Sequence, residues 1–540
     1  MERHHAISLA MQLPHDPNAA MIAMSILLRR KGRITDMLGN EARALREHVS
    51  ANNRAALDAL FAASRGLARN KLSSLMQQAP DAATTSAMSS LGNQRDQLAR
   101  QIMGVGDDHD ALLDALNARA EHVSVADVAR AIPANAALVE LTMYVSVDYW
   151  NGRVDGLHYA AFVLGHDLSV AFVDLGDRSE LDALASRLRD ALMRPDIDPR
   201  PLARSLDDRV MRPIRALLGR RHHVILAADG ALSLVPFAAL VDEQNRYLVE
   251  NWSFTSLTTG RELARLAASR PIEGTGALVV ADPDFGAPGA VGATNSQRGG
   301  SFNALKHATF PALAGTEEEG RAVAELLGAS LMTRGAATRD SIAGVHGPRV
   351  LHIATHGFFL DKPDTSLPAT RGLVIEDEAQ PDSAPPKTAV ADALFRSGLV
   401  FAGANHHRAN ADGIMTAGEA LWLDLQGTEL VVLSACETGL GDVSGGQGVR
   451  GLQQAFSLAG ARALVMSLWK VDDAATRDLM IAFYGELARG QGRTEALRTA
   501  QLGVLASATH QHPYYWAAFM HYGDASPLPR GLVSTRVHGP

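Results

Sequence analysis

Cysteine is all but missing from this chain: Cys436 is the only one in 540 residues. A lone thiol rules out an intrachain disulfide and every zinc or iron–sulfur site built from several thiolates. A basic excess is missing too. The formal net charge is -8, which argues against sequence-independent nucleic-acid binding, because that needs cations to neutralise phosphates. No apolar run approaches the ~20 residues of a membrane span; residues 21–28 form one apolar stretch and fall far short. Residues 7–13 are apolar, but His15 and Asp16 follow and no small-residue cleavage site does, so they do not read as a signal peptide. The P-loop pattern G-x-x-x-x-G-K-[ST] is absent. The expectation is a cytoplasmic protein with a reduced thiol and no membrane contact. Frequent Ala and Arg hint at a bacterial source. What is present is a globular composition, 46% hydrophobic and 20% charged, well outside the disordered class.

The length allows two to four domains. Residues 1–130 read as helical, dominated by Ala, Leu, Met, Arg and Glu, with no convincing 34-residue repeat. Residues 131–270 read as α/β, with strands at 137–144, 159–164, 170–174 and 223–228 and a helix at 181–193. Residues 271–525 read as a second α/β unit, and 526–540 as a flexible tail. Its strands are expected at 277–281, 350–355, 430–435 and 463–468, and its helices at 416–425, 449–459, 474–488 and 494–506. Residues 283–311 read as a long loop. Thr316 and Glu319 fit a capping box for the helix that buries Val323, Leu326 and Leu327 and stops at Gly328. Alternation of strand and helix implies a mostly parallel, doubly wound sheet, with chemistry at the carboxyl ends of its strands.

Two strands end on capable residues. One closes in Thr355-His356-Gly357, the other in Ala435-Cys436-Glu437. If the strands are neighbours, imidazole and thiol emerge on one edge, the minimum apparatus for covalent catalysis. The backbone amides of Gly357 and Cys436 could form an oxyanion hole. Taken alone, a cysteine is more often a small buried hydrophobe. His352 and His356 have a metal-ligand spacing, but on a strand they stand roughly 13 Å apart, and no convincing third ligand lies nearby in sequence, so no metal is expected.

Several stretches resemble the CHAT-domain peptidases, caspase-like cysteine proteases related to separase, metacaspases and gingipains. They are His352-Ile353-Ala354-Thr355-His356-Gly357, Ser434-Ala435-Cys436-Glu437-Thr438-Gly439-Leu440-Gly441, Ala459-Gly460-Ala461-Arg462, Ser467-Leu468-Trp469-Lys470-Val471-Asp472-Asp473 and Tyr515-Trp516-Ala517-Ala518-Phe519. Ala228-Asp229-Gly230-Ala231-Leu232 and Val235-Pro236-Phe237-Ala238-Ala239-Leu240 match upstream, so the resemblance covers roughly 125–525. It implies a caspase-like mostly parallel sheet flanked by helices, with a non-catalytic α/β companion before about 270. It implies a dyad of His356 and Cys436, with an oxyanion hole from the backbone of Gly357 and Cys436. The chain departs from the family at Gly446-Gln447-Gly448, where Gly-Glu-Gly is expected, so any carboxylate role at 447 is lost. Relatives often follow tetratricopeptide repeats that bind regulators, a task that here falls to residues 1–130.

The resemblance also points to an acidic residue for a basic substrate side chain. Asp472 and Asp473 are the candidates, with Glu437 and Asp442 weaker ones; helix capping is the competing role, assigned first to Asp473. Gly446-Gln447-Gly448-Val449-Arg450-Gly451 spells the dinucleotide fingerprint, with Asp472 21 residues on. Gly446 stands ten positions past Cys436, which puts the glycines too far from the strand end. No cofactor is therefore expected. The proline-rich segment 361–412 reads as a substrate or activation loop, or as a plain connection, with a β pair at 371–375 and 398–402. The expectation is a cysteine endopeptidase acting on a protein, such as a gasdermin-like pore former or a defence component encoded nearby. A catalytically silent scaffold is the alternative, and a dinucleotide-binding protein the third.

Overall fold

The computed structural model describes residues 2–14, 16–32, 53–77, 82–103, 123–269, 274–287, 302–360, 394–406, 413–435, 441–444, 448–529 and 531. Its strands are β1 (Ala136–Asp148), β2 (Arg153–Gly165), β3 (Val170–Asp177), β4 (His223–Ala227), β5 (Ser253–Ser256), β6 (Thr275–Pro283), β7 (Ser330–Arg334) and β8 (Pro348–Phe359). They continue with β9 (Ser397–Val400), β10 (Ile414–Thr416), β11 (Leu430–Ala435), β12 (Gly441–Ser444), β13 (Gly448–Gly451), β14 (Ala463–Ser467) and β15 (Phe519–Gly523).

Thirteen of these form one sheet, ordered β10-β9-β8-β11-β14-β15-β5-β4-β1-β2-β3, with β6 and β7 joining at β8. β7, β6, β8, β11 and β14 run parallel, and β15 is antiparallel to β14. β5, β4 and β1 are parallel, followed by the antiparallel meander of β2 and β3. The two halves meet where Tyr522 of β15 pairs with Ser256 of β5. The architecture is therefore mixed α/β on a mostly parallel sheet, as expected.

The parallel strands are apolar because both faces are covered. Every residue of β11 is buried. Its side chains alternate: Leu430 and Val432 join the core beneath helices Ala314–Leu327 and Asp473–Ala488, while Val431, Leu433 and Ala435 join the core beneath helix Leu452–Ala459. The described part of residues 1–130 is helical, and its helices divide between the halves. Ile7, Met24, Leu27 and Leu28 pack on Leu138 and Phe162 of β1 and β2. Helix Arg54–Gln77 instead lays Ala68, Leu72 and Met76 among Phe285, Phe310 and Phe358.

Several local expectations are corrected. Thr316 and Glu319 make no capping box. The helix starts at Ala314, three residues before the start a Thr316 cap would set, because the Thr316 hydroxyl donates to the Leu313 carbonyl and accepts from the Asp282 amide, while Glu319 faces His352. The loop expected at 283–311 contains helix Phe302–His307. The helix expected at 416–425 contracts to Ala417–Ala420, and that at 449–459 begins at Leu452 because Val449 pairs with Val443 in the β12–β13 ribbon. The stretch 398–402 does give a strand, β9, but it pairs with β8 and β10; residues 371–375 lie outside the described residues. Strands β5, β7, β10, β12, β13 and β15 were not anticipated.

Candidate active site

β8 and β11 are neighbours in parallel, with Ala354 opposite Ser434 and Thr355 opposite Ala435. The next residue along β8 is His356; the next after Ala435 is Cys436. Cys436 and Glu437 lie outside the described residues, so the histidine side of the site is what can be built. Two side-chain bonds fix this edge. The Ser467 hydroxyl at the end of β14 donates to the Ala435 carbonyl, and the Thr355 hydroxyl donates to the Val400 carbonyl.

His356 does not end its strand. β8 continues to Phe359 because β9 takes over as its partner where β6 stops: Ala354 pairs with Ala281, and from His356 onward the partners are Val400, Leu399, Gly398 and Ser397. Gly357 accordingly sits in this ladder, opposite Leu399, and not in a loop. Gly398 must be small, because a Cβ there would stand 2.5 Å from the Met415 carbonyl oxygen and 2.7 Å from the Phe358 ring.

The imidazole of His356 is half-buried between Phe285 and Phe310, whose ring centres lie 5.1 and 5.9 Å away. Its Nε2 is 2.8 Å from the carbonyl oxygen of Pro311. A carbonyl only accepts, so Nε2 carries the hydrogen, and in the neutral ring Nδ1 holds the lone pair of a base. Burial lowers the pKa of this imidazole below the ordinary histidine value; the Pro311 bond opposes the shift, Lys470 adds to it and Asp473 opposes it. The ring is thus a neutral base at physiological pH.

The structure separates the two aspartates. Capping belongs to Asp472, whose Oδ1 accepts from the amides of Ala474 and Ala475 at 3.0 Å each; the expectation had given it to Asp473. Helix Asp473–Ala488 starts one residue earlier than expected, which moves the cap back by one. Asp473 is exposed and lies against the start of helix Ala314–Leu327, where a Cβ on Gly315 would meet its Cβ at 2.4 Å. It is the aspartate that acts electrostatically on His356. With Asp472 spent on the cap and Gly448–Gly451 in an antiparallel ribbon, the dinucleotide fingerprint has neither its ribose carboxylate nor its glycine turn at a strand end. Asp442 falls in β12 of that ribbon.

His352 is not paired with His356 for a metal. It is fully buried, with Nδ1 3.1 Å from the Tyr484 hydroxyl and Nε2 3.1 Å from Glu319 Oε1. Burial, with Glu319 nearby, pushes the Tyr484 phenol well above its usual value, so it stays protonated. Among the described residues no group of three or more His, Cys, Asp or Glu gathers to hold a metal ion, and no helix is long and apolar enough to cross a membrane. Sequence reasoning missed Pro311, Phe285 and Phe310. The first acts through its backbone, and the aromatics read as ordinary loop residues.

A family model described as the CHAT domain matches residues 200–524, more than half of the chain. The chain belongs to the CHAT-domain family. Two curated relatives are similar to this chain: tetratricopeptide repeat protein 28 of Homo sapiens, 27% identical over 356 residues, and its Mus musculus counterpart, 26% identical. Each alignment covers 62% of this CHAT-domain chain and 14% of the relative, so the chain spans about a seventh of their length. Among solved structures, the Saccharomyces cerevisiae separase–securin complex is similar with 8% identity and a TM-score of 0.39, covering 84% of this chain and 36% of that one. The Arg-specific cysteine proteinase gingipain R is similar with 11% identity and a TM-score of 0.35, covering 66% and 75%.

Proposed function

We propose that this chain is a cysteine endopeptidase with His356 and Cys436 as its dyad. The observation that carries the reading is the β8–β11 register, which sets Thr355 opposite Ala435. Covalent geometry ties the Cα of Cys436 to about 3.8 Å from that of Ala435, one residue from the level of a neutral imidazole whose Nε2 hydrogen is already committed. Nδ1 takes the thiol proton, and the thiolate sulfur attacks the scissile carbonyl. The backbone amides of Gly357 and Cys436 receive the oxyanion. The C–N bond then breaks, His356 returns the proton to the leaving amine, and water hydrolyses the thioester.

Asp473, exposed and acting electrostatically on the imidazole, takes a basic side chain before the scissile bond, with Glu437 as a second acidic contributor. Residues 271–525 form the catalytic part and 131–270 its non-catalytic companion. The substrate is a protein, a gasdermin-like pore former or another genome neighbour. A regulatory protein acts through the N-terminal helices: Leu72 and Met76 share an apolar cluster with Phe285 and Phe310, so moving helix Arg54–Gln77 alters the packing around His356.

A peptide library digested by the wild type, Cys436→Ala and His356→Ala tests the reading. Cleavage after Arg or Lys by the wild type alone is expected. Full activity in Cys436→Ala would remove the mechanism, and a preference for acidic or bulky apolar residues would remove the Asp473 pocket.

A further inference from the structure

We infer that Asn405 is a positioning residue for His356, an inference that rests on the dyad proposed above. Its side-chain amide makes three hydrogen bonds to two separate loops. Oδ1 accepts from the Phe310 amide at 3.0 Å, and Nδ2 donates to the Phe310 carbonyl at 2.9 Å and to the Gly286 carbonyl at 2.9 Å. Both donor hydrogens are therefore used, and the network fixes which end of the amide is oxygen, since a flipped amide would face two carbonyls with its acceptor. The residue is 6% exposed, and its own amide donates to the Phe285 carbonyl at 2.8 Å.

These two loops are the ones that hold the imidazole. Phe285 and Phe310 flank the ring, and Pro311, next after Phe310, offers the carbonyl to Nε2. Proline has no amide hydrogen with which to anchor itself, so the peptide carrying that carbonyl is held from the Phe310 side, where Asn405 grips both backbone groups. The other loop is equally tight. Gly286 has φ +85°, and a Cβ there would fall 2.0 Å from the His406 ring. Asn405 acts through these two loops. It sets where the proton-holding carbonyl sits, and thereby keeps Nδ1 as the basic nitrogen.

Because Cys436 is the only cysteine, the rate of iodoacetamide alkylation against pH, read by mass spectrometry on the intact chain, reports the dyad without a substrate. Asn405→Ala is expected to slow alkylation at pH 7 about tenfold and to move the pH midpoint toward that of His356→Ala, as thiolate formation loses its partner. Asn405→Asp keeps the volume but loses both donors, and it is expected to shift the profile the same way, so one soluble variant suffices. Arg493→Met, which weakens the fold far from the site, should leave the profile alone. A wild-type profile in an Asn405 variant, with an altered one in His356→Ala, overturns this inference and spares the dyad. A wild-type profile in His356→Ala overturns the dyad and this inference with it.

Discussion

Arg493 is the most exacting place to test how the sheet edge opposite the site is held. Its guanidinium is fully buried, with Nη2 2.6 Å from Glu429 Oε2 and Nη1 2.7 Å from the Ser526 carbonyl and 3.6 Å from Asp524 Oδ1. Glu429 immediately precedes β11, and Asp524 immediately follows β15. Arg462, just ahead of β14, reaches both carboxylates, at 3.6 Å from Glu429 and 2.8 Å from Asp524. One buried cation thus braces β11 and β15, and Arg462 ties β14 to the same two acids. Arg493→Met keeps the apolar stem and removes the charge. Breaking a buried pair costs about 3–5 kcal/mol; because Arg462 still serves both acids, about 3 kcal/mol is expected here. For a chain of this size that lowers Tm by about 3 °C if unfolding is one transition.

A pH signature accompanies it. Burial pushes the Asp524 carboxyl up, but Arg493 and the bonds from Ser526 and Arg462 outweigh it and hold the pKa at about 2. A depressed carboxylate stabilises the fold above the unfolded value near 4, and the gain is lost as pH falls through 2; here it is roughly 2 kcal/mol. In Arg493→Met the acid-side loss between pH 4 and 2 should shrink. A thermal melt at pH 7, with urea denaturation at pH 7 and pH 3, measures both effects. A variant within 1 °C of wild type at pH 7 would refute the brace.

Two further predictions concern single carboxylates. Glu419 is buried, 3.8 Å from Arg339 Nε; burial raises its pKa to about 7 against the pull of Arg339, Arg69 and Arg65. The folded state keeps this proton where the unfolded chain releases it near pH 4.5, so its stabilisation is present below that value and lost as pH rises through 7. Glu419→Gln should therefore gain on wild type by up to roughly 3 kcal/mol between pH 4.5 and 8; a difference independent of pH in urea titrations would contradict the assignment. Asp472→Ala should cost about 1 kcal/mol through the lost helix cap, and Asp472→Ser should recover most of it. Equal melting of the Ala and Ser variants would show that the cap contributes nothing.

How much was legible in the sequence follows from which interactions are local. The bounds of β11 were readable because an unbroken apolar run is what a doubly covered parallel strand requires. His356 was readable as a reactive group closing such a run, but not as a mid-strand residue, because its continued pairing comes from β9, about 40 positions away. The capping box failed although its pattern was correct. Thr316 bonds the Leu313 carbonyl three residues back, and Thr316 and Glu319 also found tertiary partners in Asp282 and His352, which local spacing cannot announce. Strand β5 reads Ser-Phe-Thr-Ser, too short and polar to signal a strand. Pro311 was invisible because its contribution is a carbonyl that every residue possesses.

The Tyr522–Ser256 pair joins the edge strand of one half of the sheet to the edge strand of the other. During synthesis β5 is made first, and its partner β15 is translated roughly 270 residues later, on the order of 15–50 s at ribosomal speed. Through that interval β5 presents an open edge, the kind of surface on which nascent chains aggregate. Folding order therefore becomes a liability of the design: the first half must wait, shielded, for the last strand of the second. A chaperone that covers strand edges would raise the yield of this protein more than its thermodynamic stability suggests.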